Sequence, residues 1–342
     1  MAGREFALID KLQGMQRIGR GDVGLGMGDD AALLDPAGRK LAVSMDTLVA
    51  GRHFFADVDP ADLGWKALAV NLSDLAAMGA EAAWCLLGLA LPAGQRDWEA
   101  WLAAFMTGWQ ALAQLRQVVL VGGDTVATDG PLTLSVTALG LWSGDAVMTR
   151  AGAQAGDGIW VTGSLGDAAA ALDAAFAERG MGGMMADWSP EERHFLEQRR
   201  LRPSPRLTFG RQAAALGVRA GIDCSDGFLA DLGHILEASG VAAHVALDAL
   251  PVSAAVRRMA GPDPQLWTRW PLSGGDDYEL ILGVAPALDE GLQARARALG
   301  LALTRVGEVV APGRDLPAGS VQLSWQGSVI PLPAQGGHEH VF

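Results

Sequence analysis

Residues 59–80 read DPADLGWKALAVNLSDLAAMGA, and this stretch predicts the helix from which the fold can be built outward. Asp59 suits the N-cap position, and Pro60 suits the first helical position. Gly79 suits the position just after the last turn, where a left-handed backbone is common. The sequence therefore predicts one helix that runs from Pro60 to about Met78.

Two polar residues of this helix share a face. Asn71 and Asp74 are three residues apart, and residues at that spacing are neighbours on a helix surface. A carboxylate beside an apolar stripe is costly unless it is paired or bound to a metal. Upstream, residues 40–45 read as a short strand that ends at Asp46, which adds a second carboxylate to this part of the chain.

Acidic residues recur at the ends of Gly-rich or small-residue turns in six separate segments. Asp favours turns for its own reasons, so any one segment carries little information. Mg²⁺, however, takes oxygen ligands and usually shares them with substrate phosphates. Six such turns predict one cleft in which several Mg²⁺ ions hold a polyphosphate. The segments are Gly28-Asp29-Asp30, Ser44-Met45-Asp46-Thr47, Asn71-Leu72-Ser73-Asp74, Gly122-Gly123-Asp124-Thr125, Asp223-Cys224-Ser225-Asp226-Gly227 and Gly274-Gly275-Asp276-Asp277.

The rest of the chain alternates predicted strands and helices, which indicates an α/β or α+β class. One helix in the first half has an aromatic core face formed by Trp98, Leu102, Phe105, Trp109 and Leu112. Strands are predicted at residues 82–91, 118–121, 132–141, 159–162, 220–222 and 280–284. Gly and Ala cluster near residues 146–157, so we expect two domains at 1–148 and 149–342.

Composition excludes several classes of function. The net charge of −13 argues against a nucleic-acid partner, which demands a basic face. No apolar run reaches membrane-spanning length, and no Gly-x-x-x-x-Gly-Lys-Ser/Thr loop is present. Only three lysines occur, so a bound phosphate would be held through bridging cations. The two cysteines, Cys85 and Cys224, make neither a disulfide scaffold nor a zinc site, and we expect a cytoplasmic protein.

The acidic turns are compatible with three kinds of chemistry. Carboxylates and Mg²⁺ can bind ATP and catalyse phosphoryl transfer, which depends mostly on positioning and charge neutralisation. A two-metal hydrolase could use the same carboxylates, but such enzymes usually add histidine ligands, and the six histidines here include no metal-like pair except His338 and His340. Structural Ca²⁺ in a binding module is the third possibility, and the missing EF-hand pattern weighs against it.

Seven segments of the chain together resemble bacterial thiamine-monophosphate kinase. They cover nearly the whole chain, in order. The block from Asn71 to Ala80 and the combined set are specific, whereas a single Gly-Asp-Asp would not be. The segments are GDDAA at 28–32, DTLVAGRHF at 46–54, KALAVNLSDLAAMGA at 66–80, GGDT at 122–125, RPSPR at 202–206, DCSDG at 223–227 and SGGDDYEL at 273–280.

This resemblance implies an α/β (α+β) protein with the two-domain PurM-like fold of aminoimidazole ribonucleotide synthetase. An N-terminal domain would bind Mg²⁺ and ATP and form a homodimer through its sheet. A C-terminal α/β domain would close over the cleft and complete the active site. The implied reaction converts ATP and thiamine monophosphate to ADP and thiamine diphosphate, with several Mg²⁺ ions between nucleotide and carboxylates.

The resemblance also implies roles for individual residues. No side chain is expected to act as acid, base or nucleophile, because positioning and metal ions supply the catalysis. The metal-ligand positions are Asp29, Ser44, Met45, Asp46, Asp74, Asp124, Asp223 and Asp226. The nucleotide-binding positions are Gly123, Asp124, Arg150 and Ser225. The substrate-binding positions are His53, Asp276 and Trp325.

Three positions depart from the family pattern. Asp276 stands where the family has Glu, which shortens the acid by one methylene. Met45 stands where Thr is usual, so only its backbone carbonyl is available to a metal. After Thr125, the chain has Val126 in place of the common Arg, so any contact from that arginine is lost.

The acceptor determines the expected mechanism. A phosphate monoester has a second pKa of about 6, so it is already an oxyanion near neutral pH and needs no general base. We expect direct in-line transfer without a phospho-enzyme, with Mg²⁺ screening the repulsion between two anions. His53 would orient the acceptor phosphate, or only cap a turn. Trp325 would stack on a thiamine ring, or only fill the core.

Two functional alternatives stay open. Another ATP-using enzyme of the same superfamily, such as aminoimidazole ribonucleotide synthetase or selenophosphate synthetase, would share the acidic turns. A catalytically inactive regulator that binds Mg-nucleotide would explain the departures at Met45 and Asp276. Turnover of thiamine monophosphate separates both from the kinase.

Overall fold

A computed structural model shows that the chain forms two compact units. Unit 1 comprises Met1–Leu75 and Ala80–Gly144, and unit 2 comprises Ala76–Gly79 and Asp145–Phe342. Each unit combines a main sheet with helices, as the alternating sequence pattern predicts. The structure describes residues 14–16, 19–27, 31–94, 97–142, 147–184, 187–333 and 336–337.

The first half of the chain contains a small two-stranded sheet, a four-stranded sheet and long helices. Its elements are β1 (Val23–Leu25), β2 (Leu33–Leu34), β3 (Lys40–Val49), α1 (Pro60–Ala77), β4 (Glu81–Pro92), α2 (Trp98–Arg116), β5 (Val119–Thr128) and β6 (Thr133–Trp142). The larger sheet has the strand order β3-β6-β4-β5. In it, β4 and β5 run parallel, and the other neighbours run antiparallel.

The helix predicted from the opening stretch forms as α1, with the predicted ends. The Oδ1 atom of Asp59 accepts the backbone N–H groups of Ala61 at 2.8 Å and Asp62 at 3.3 Å. After the last turn, Gly79 has a left-handed φ of 72°. Both ends of α1 are therefore fixed by the local signals that the sequence carries.

Two glycines allow α1 and α2 to pack with their backbones in contact. A Cβ atom on Gly64 would lie 2.0 Å from the carbonyl oxygen of Phe105, and one on Gly108 would lie 1.7 Å from that of Ala61. The aromatic face of α2 lies in the core, as predicted, and Phe105 and Trp109 are fully buried. This tight contact fixes α1, which carries Asn71 and Asp74.

Two strands are longer than the sequence predicts, and this moves two acidic segments from turns into the sheet. Asp46 lies inside β3 because β6 pairs with all ten residues of that strand. Residues 122–124 lie inside β5 because β4 pairs with that strand along its length. Cross-strand pairing therefore overrides the local turn signal of glycine and aspartate.

The four-stranded sheet has one covered face and one exposed apolar face. On β3, Ala42 and Leu48 are buried, whereas Leu41, Val43 and Met45 are 45%, 62% and 60% exposed. Successive side chains of a strand point to opposite faces, so the exposed residues form one strip. Register pairing extends this strip to the neighbouring strands. We name as the exposed sheet face Leu41, Val43, Met45, Leu86 and Val126.

The second half of the chain surrounds a seven-stranded sheet. Its strands and α-helices are β7 (Gly158–Thr162), α3 (Asp167–Glu178), α4 (Pro190–Leu201), α5 (Leu207–Leu216), β8 (Ala220–Asp223), α6 (Phe228–Ser239), β9 (Ala242–Ala246), α7 (Ala254–Ala260), α8 (Pro264–Trp267), β10 (Leu280–Val284), α9 (Asp289–Ala298), β11 (Leu303–Val310), β12 (Val321–Trp325) and β13 (Ser328–Ile330). The strand order is β13-β12-β9-β11-β7-β10-β8. Because β12 and β9 run parallel and the other pairs antiparallel, the unit is of the α+β type within the predicted class.

The elements that frame the second group of acidic segments form as predicted. β8 ends at Asp223, and α6 begins five residues later at Phe228 and stops at Gly240, whose φ is 66°. β10 starts at Leu280, three residues after Asp277. Among the described residues, no helix is long and apolar enough to cross a membrane.

Candidate active site

Two of the predicted metal-ligand residues, Ser44 and Asp74, contact each other in unit 1, and a third, Asp46, follows two residues after Ser44 on β3. The Ser44 hydroxyl donates a hydrogen bond to Oδ2 of Asp74, so β3 and α1 meet at this point. The backbone N–H of Asp46 donates to Oδ1 of Asn71 at 2.9 Å. Asn71 is 1% exposed, and its Nδ2 atom donates to the Ala67 carbonyl at 3.1 Å. The shared face of Asn71 and Asp74 is therefore used to dock the strand that carries Ser44 and Asp46.

Met45 lies between these two strand residues but faces the other way. Its side chain belongs to the exposed sheet face, because neighbouring residues of a strand alternate between faces. The Met45 side chain is therefore directed away from the Ser44–Asp74 pair. This agrees with the sequence prediction that only its backbone carbonyl is available to a metal.

Gly123 and Asp124 lie on β5, at the far edge of the same sheet from β3. The register pairs Asp124 with Gly88, Gly88 with Ser135, and Ser135 with Thr47. A hydrogen bond of 2.9 Å between the Thr47 and Ser135 hydroxyls shows that this row shares a face. Asp46 precedes Thr47 and so points to the opposite face. The structure thus does not group Asp124 with Ser44 and Asp74.

Gly123 is required by packing at its position in β5. A Cβ atom there would lie 2.0 Å from the carbonyl oxygen of Leu87 on the neighbouring strand. The adjacent Asp124 is exposed, and its Oδ1 atom accepts the backbone N–H of Thr125 at 2.8 Å. Asp29, the remaining acid predicted for this part of the chain, lies outside the described residues.

His53 closes the turn that follows β3. Its Nδ1 atom accepts the backbone N–H of Val49 at 3.0 Å, and the backbone N–H of His53 donates to the Val49 carbonyl at 3.0 Å. The turn-capping role predicted as an alternative is therefore present. Because Nδ1 is an acceptor, the neutral ring carries its proton on Nε2, which is the atom suited to a phosphate oxygen.

In unit 2, two acidic segments pair with each other through their backbones. The N–H of Cys224 donates to the Glu279 carbonyl at 2.7 Å, and the N–H of Tyr278 donates to the Cys224 carbonyl at 2.8 Å. The N–H of Asp276 donates to the Ser225 carbonyl at 2.7 Å. We name as the ribbon the two paired segments, residues 224–225 and 276–279. It holds the predicted nucleotide residue Ser225 beside the predicted substrate residue Asp276.

The backbone of the second segment is unusual for side-chain-bearing residues. Asp276 and Tyr278 have φ values of 63° and 52°, a left-handed conformation that most residues avoid. Before them, Gly275 has a φ of 68°, and a Cβ atom there would lie 2.5 Å from the Ser225 carbonyl oxygen. The close approach explains the glycine, and the ribbon compensates for the strained backbone.

Sequence reasoning missed Asp231, which lies beneath the first segment. Its Oδ2 atom accepts the backbone N–H groups of Ser225 at 3.0 Å, Asp226 at 3.1 Å and Gly227 at 3.1 Å. Burial raises the pKa of Asp231 to about 7, the Asp226 charge adds to the rise, and the three donors oppose it. The missed signal is a carboxylate among the apolar residues of α6, the pattern that marked Asp74.

Glu279 was also missed, and it forms the centre of a buried ion network beneath the second segment. It is fully buried, and its carboxylate accepts a 2.9 Å bond from Arg199 and two bonds from Arg206, the Nε one at 2.6 Å. The Thr162 hydroxyl donates to Oε2 at 2.7 Å. Arg206 ends the RPSPR segment, so this contact gives that motif a role.

Asp277 completes the support of the second segment. Both of its carboxylate oxygens accept the backbone N–H of Gly166, at 3.0 and 2.9 Å. Burial raises the pKa of Asp277 well above its usual range, against the opposing charge of Arg199. Cys224 is also fully buried, and burial raises the pKa of its thiol, which fits the predicted role of a small filler.

Two predicted residues of unit 2 lie away from this ribbon. Thr149 pairs with Ala220 at the start of β8, so Arg150 follows beside that strand, whereas Asp223 ends it. Trp325 ends β12, which is five strand positions from β8, or about 24 Å across the sheet. Its half-buried ring packs edge-on against Trp267 at 5.5 Å, so the predicted core alternative is present in part.

Both halves of the chain match one protein family. The family model described as AIR synthase related protein, N-terminal domain, matches residues 28–142, and the model of the C-terminal domain of the same family matches residues 154–316. The fold and the acidic segments thus define a two-domain protein of the AIR synthase-related class. This finding confirms the fold class that the sequence predicts.

Individual relatives narrow this class. Thiamine-monophosphate kinase of Salmonella typhimurium is 47% identical over 313 residues, which cover 91% of this chain and 92% of the relative. The crystal structure of thiamine-monophosphate kinase from Stenotrophomonas maltophilia K279a is 43% identical, with a TM-score of 0.81 and coverage of 95% and 98%. AaThiL complexed with AMPPCP and TMP is 26% identical, with a TM-score of 0.72 and coverage of 98% and 97%. The chain belongs to the thiamine-monophosphate kinase family.

Proposed function

We propose that this chain phosphorylates thiamine monophosphate with ATP and yields thiamine diphosphate and ADP, as a step of thiamine diphosphate biosynthesis. The observation that carries this proposal is the 47% identity to a thiamine-monophosphate kinase over 91% of the chain. The relative AaThiL is complexed with AMPPCP and TMP, which supports a nucleotide and an acceptor binding to the same protein. We retain residues 1–148 and 149–342 as the proposed functional domains.

We propose Mg²⁺ as the metal that accompanies the nucleotide. Ser44, Asp46 and Asp74 offer hydroxyl and carboxylate oxygens, the ligand type that Mg²⁺ prefers, and the Ser44–Asp74 hydrogen bond brings two of them together. Among the described residues, no three His, Cys, Asp or Glu side chains are grouped closely enough to hold a metal alone. Mg²⁺ usually keeps several waters and shares phosphate oxygens with its substrate.

The remaining proposed ligands are assigned by their positions in the family segments. When bound, the metal would supply neutralisation of the phosphate charges. Asp223 and Asp226 flank the turn at the end of β8, where the backbone is fixed by neighbouring segments. The further proposed ligands are Asp29, Asp124 and the backbone carbonyl of Met45.

For the nucleotide, we propose contacts from Gly123, Asp124, Arg150 and Ser225. Arg150 is exposed, and the planar fork of a guanidinium suits phosphate oxygens. Ser225 offers a hydroxyl on a turn whose backbone N–H is already used by Asp231. The proposed nucleotide contact at this turn is therefore a side-chain contact.

For the acceptor, we propose contacts from His53, Asp276 and Trp325. His53 would donate from Nε2 to the phosphate, since Nδ1 already accepts the Val49 N–H. The acceptor phosphate is an oxyanion near neutral pH, so the chain needs no general base and no phospho-enzyme. The task of these residues is to hold two anions in line, which is the main requirement of phosphoryl transfer.

We also propose that the chain forms a homodimer through the exposed sheet face. Its apolar members include Val43 and Met45, each at least 60% exposed, and Val126 at 49%. Leu41, Val43, Met45 and Leu86 lie in neighbouring register positions, and an exposed apolar patch of this kind is typical of an interaction surface. Substituting Val43 with Lys is expected to shift the mass measured by light scattering from dimer to monomer. An unchanged dimer mass would exclude this face.

A coupled ADP-release assay tests the proposed activity. We expect ADP release from ATP only when both Mg²⁺ and thiamine monophosphate are present, with thiamine diphosphate formed in equal amount. Thiamine is the matched control acceptor, because it lacks the phosphate oxyanion and should give no release. EDTA should stop the reaction and excess Mg²⁺ should restore it.

The same assay separates the two alternatives. Mg-ATP binding without turnover of any thiamine compound would favour the inactive regulator. ADP release with a different acceptor would favour another enzyme of the superfamily. A cytoplasmic location remains part of the proposal, and it is consistent with the two cysteines, which are buried free thiols.

A further inference from the structure

Asp231 contacts three successive residues of the candidate site, although none of the roles above is assigned to it. One of its oxygens accepts the backbone N–H groups of Ser225, Asp226 and Gly227, at 3.0, 3.1 and 3.1 Å. The side chain is 2% exposed and lies on α6, within the core that this helix helps to build. A single buried atom therefore fixes the direction of three consecutive peptide groups.

These three N–H groups would otherwise form a concave set of donors that attracts anions. Because Asp231 occupies them, a nucleotide phosphate has no access to these amides. The turn instead presents its side chains, the Ser225 hydroxyl and the Asp226 carboxylate. The Ser225 carbonyl accepts the N–H of Asp276. The position of the turn therefore also fixes the backbone of the second segment at Asp276.

We propose that Asp231 is a positioning residue, which holds the turn at residues 225–227 so that the side chains of Ser225 and Asp226 meet the nucleotide and its metal. The identity of that ligand rests on the proposed function. The geometric part, one buried carboxylate that organises the turn, stands on the three hydrogen bonds alone.

The kinetic test compares Asp231→Ala and Asp231→Asn with a matched control, Asp173→Asn. Asp173 lies on α3 and also accepts three donors, two from Arg269 at 2.6 Å and one from Trp270 at 2.8 Å. We expect Asp231→Ala to lower kcat/KM for ATP by about 100-fold, the cost of misplacing a binding group by about 1 Å. Asp231→Asn keeps an acceptor oxygen and should lose about tenfold.

Formate supplies a readout that a merely structural role would not move. It should enter the space left in Asp231→Ala, accept the three N–H groups and restore part of the ATP kcat/KM. It should leave the wild type and Asp173→Asn unchanged. If Asp231→Ala does not fold, Asp231→Asn carries the kinetic comparison.

Amide hydrogen exchange in the ligand-free protein separates failure of this inference from failure of the proposed function. We expect faster exchange at residues 225–227 in both Asp231 variants and unchanged exchange there in Asp173→Asn. A wild type without turnover would overturn the kinase assignment but not this measurement. Unchanged exchange at residues 225–227, or a loss of kcat/KM equal to that of Asp173→Asn, would overturn the role of Asp231.

Discussion

The candidate site residues of unit 1 and those of unit 2 are held in position in different ways. In unit 1, Ser44 and Asp46 stand on β3 and Asp74 stands on α1, so their backbones are held by sheet and helix hydrogen bonds. In unit 2, Ser225 and Asp276 lie on irregular segments outside the strands. There, buried carboxylates and arginines hold the backbone in place of a regular ladder.

This difference predicts how substitutions act in each unit. A side chain on a strand or helix can be changed while the neighbouring backbone hydrogen bonds stay intact. Such a substitution lowers activity and leaves the free energy of unfolding unchanged. A side chain that itself anchors a loop carries both tasks, because an unpaired buried partner is costly. Substitutions should therefore separate activity from stability in unit 1 and couple them in unit 2.

The largest effect is expected at Asp46. Asp46→Asn removes a carboxylate charge from the proposed metal site but leaves the backbone bond to Asn71, since that bond uses the Asp46 N–H. We expect kcat/KM for ATP to fall by about 1,000-fold, as for other losses of electrostatic stabilisation of a transition state. The melting temperature should stay that of the wild type.

Asp129→Asn is the matched control, because Asp129 is an exposed acid of the same unit. Its activity and melting temperature should equal those of the wild type. Wild-type rates in Asp46→Asn would remove Asp46 from the metal site. A large drop in its melting temperature would break the comparison between the two units.

The second prediction concerns Glu279, where stability should be lost. Glu279→Gln leaves the Arg206 guanidinium without its buried counter-charge and leaves Arg199 with Asp167 alone, at 3.3 Å. We expect the free energy of unfolding to fall by about 3 kcal/mol. For a unit of this size, that loss corresponds to a drop in melting temperature of roughly 6–12 °C. Activity should fall as well, because Glu279 anchors the segment that carries Asp276.

Glu308→Gln provides the control for this change. Glu308 pairs with Arg305 at 3.5 Å on the surface, where both side chains are about half exposed, and such pairs contribute little. Its melting temperature should match the wild type. Full stability in Glu279→Gln would show that the network does not hold unit 2, and full activity would uncouple it from the site.

The site residues of unit 1 were easier to predict from the sequence than the supporting residues of unit 2. Local spacing predicts both ends of α1, at Asp59 and Gly79, and the structure confirms them. Local spacing also predicts that Asn71 and Asp74 share a face, and the structure confirms this too. Asp46 shows the limit of local signals. Its small-residue neighbours suggested a strand end, but pairing with β6 extended the strand, and that partner is distant in sequence.

The support of unit 2 was harder to predict, because it joins residues that are distant in sequence. Glu279 is separated from Arg206 by 73 residues and from Arg199 by 80, and no local pattern links them. Asp231 differs, since it sits among apolar residues of a predicted helix and could have been questioned by the argument used for Asp74. The metal, nucleotide and substrate roles of all the site residues, including Arg150, Trp325 and Asp124, stay predictions.

A third, smaller effect is expected where the two segments of unit 2 touch. Gly275→Ala places a Cβ atom 2.5 Å from the Ser225 carbonyl oxygen in a left-handed backbone. We expect a loss of about 2–3 kcal/mol, from the conformation and from overpacking together. Activity should fall in parallel, because the shift separates Ser225 from Asp276.

Gly300→Ala isolates the conformational part. Gly300 has a similar φ of 62°, but a Cβ atom there would meet nothing within 4 Å. This control should lose about 1 kcal/mol and keep full activity. Equal stability losses in the two variants would show that the contact with Ser225 does not constrain the ribbon, which would weaken the coupling proposed for unit 2.

The smallest expected effect is at Asp157, a buried carboxylate of unit 2 outside the ribbon. It tests whether such a group behaves like the loop anchors, Asp231 and Glu279. Asp157 is buried before β7, and its Oδ2 atom accepts the Gln154 N–H at 2.9 Å. Burial raises the pKa of Asp157, with Asp289 adding to the rise, so the folded state favours the protonated form. Stability from this group is thus full below its ordinary pKa near 3.8 and is lost as pH rises through the raised value.

Asp157→Asn lacks this titration and still offers an oxygen to Gln154. The difference in melting temperature, variant minus wild type, should therefore become more positive between pH 4 and pH 7, by a fraction of the Glu279→Gln effect. Activity should stay unchanged, because Asp157 contacts neither acidic segment of the ribbon in the described contacts. A loss of activity here would mean that buried charge anywhere in unit 2 affects the site, and the special role of the loop anchors would not hold.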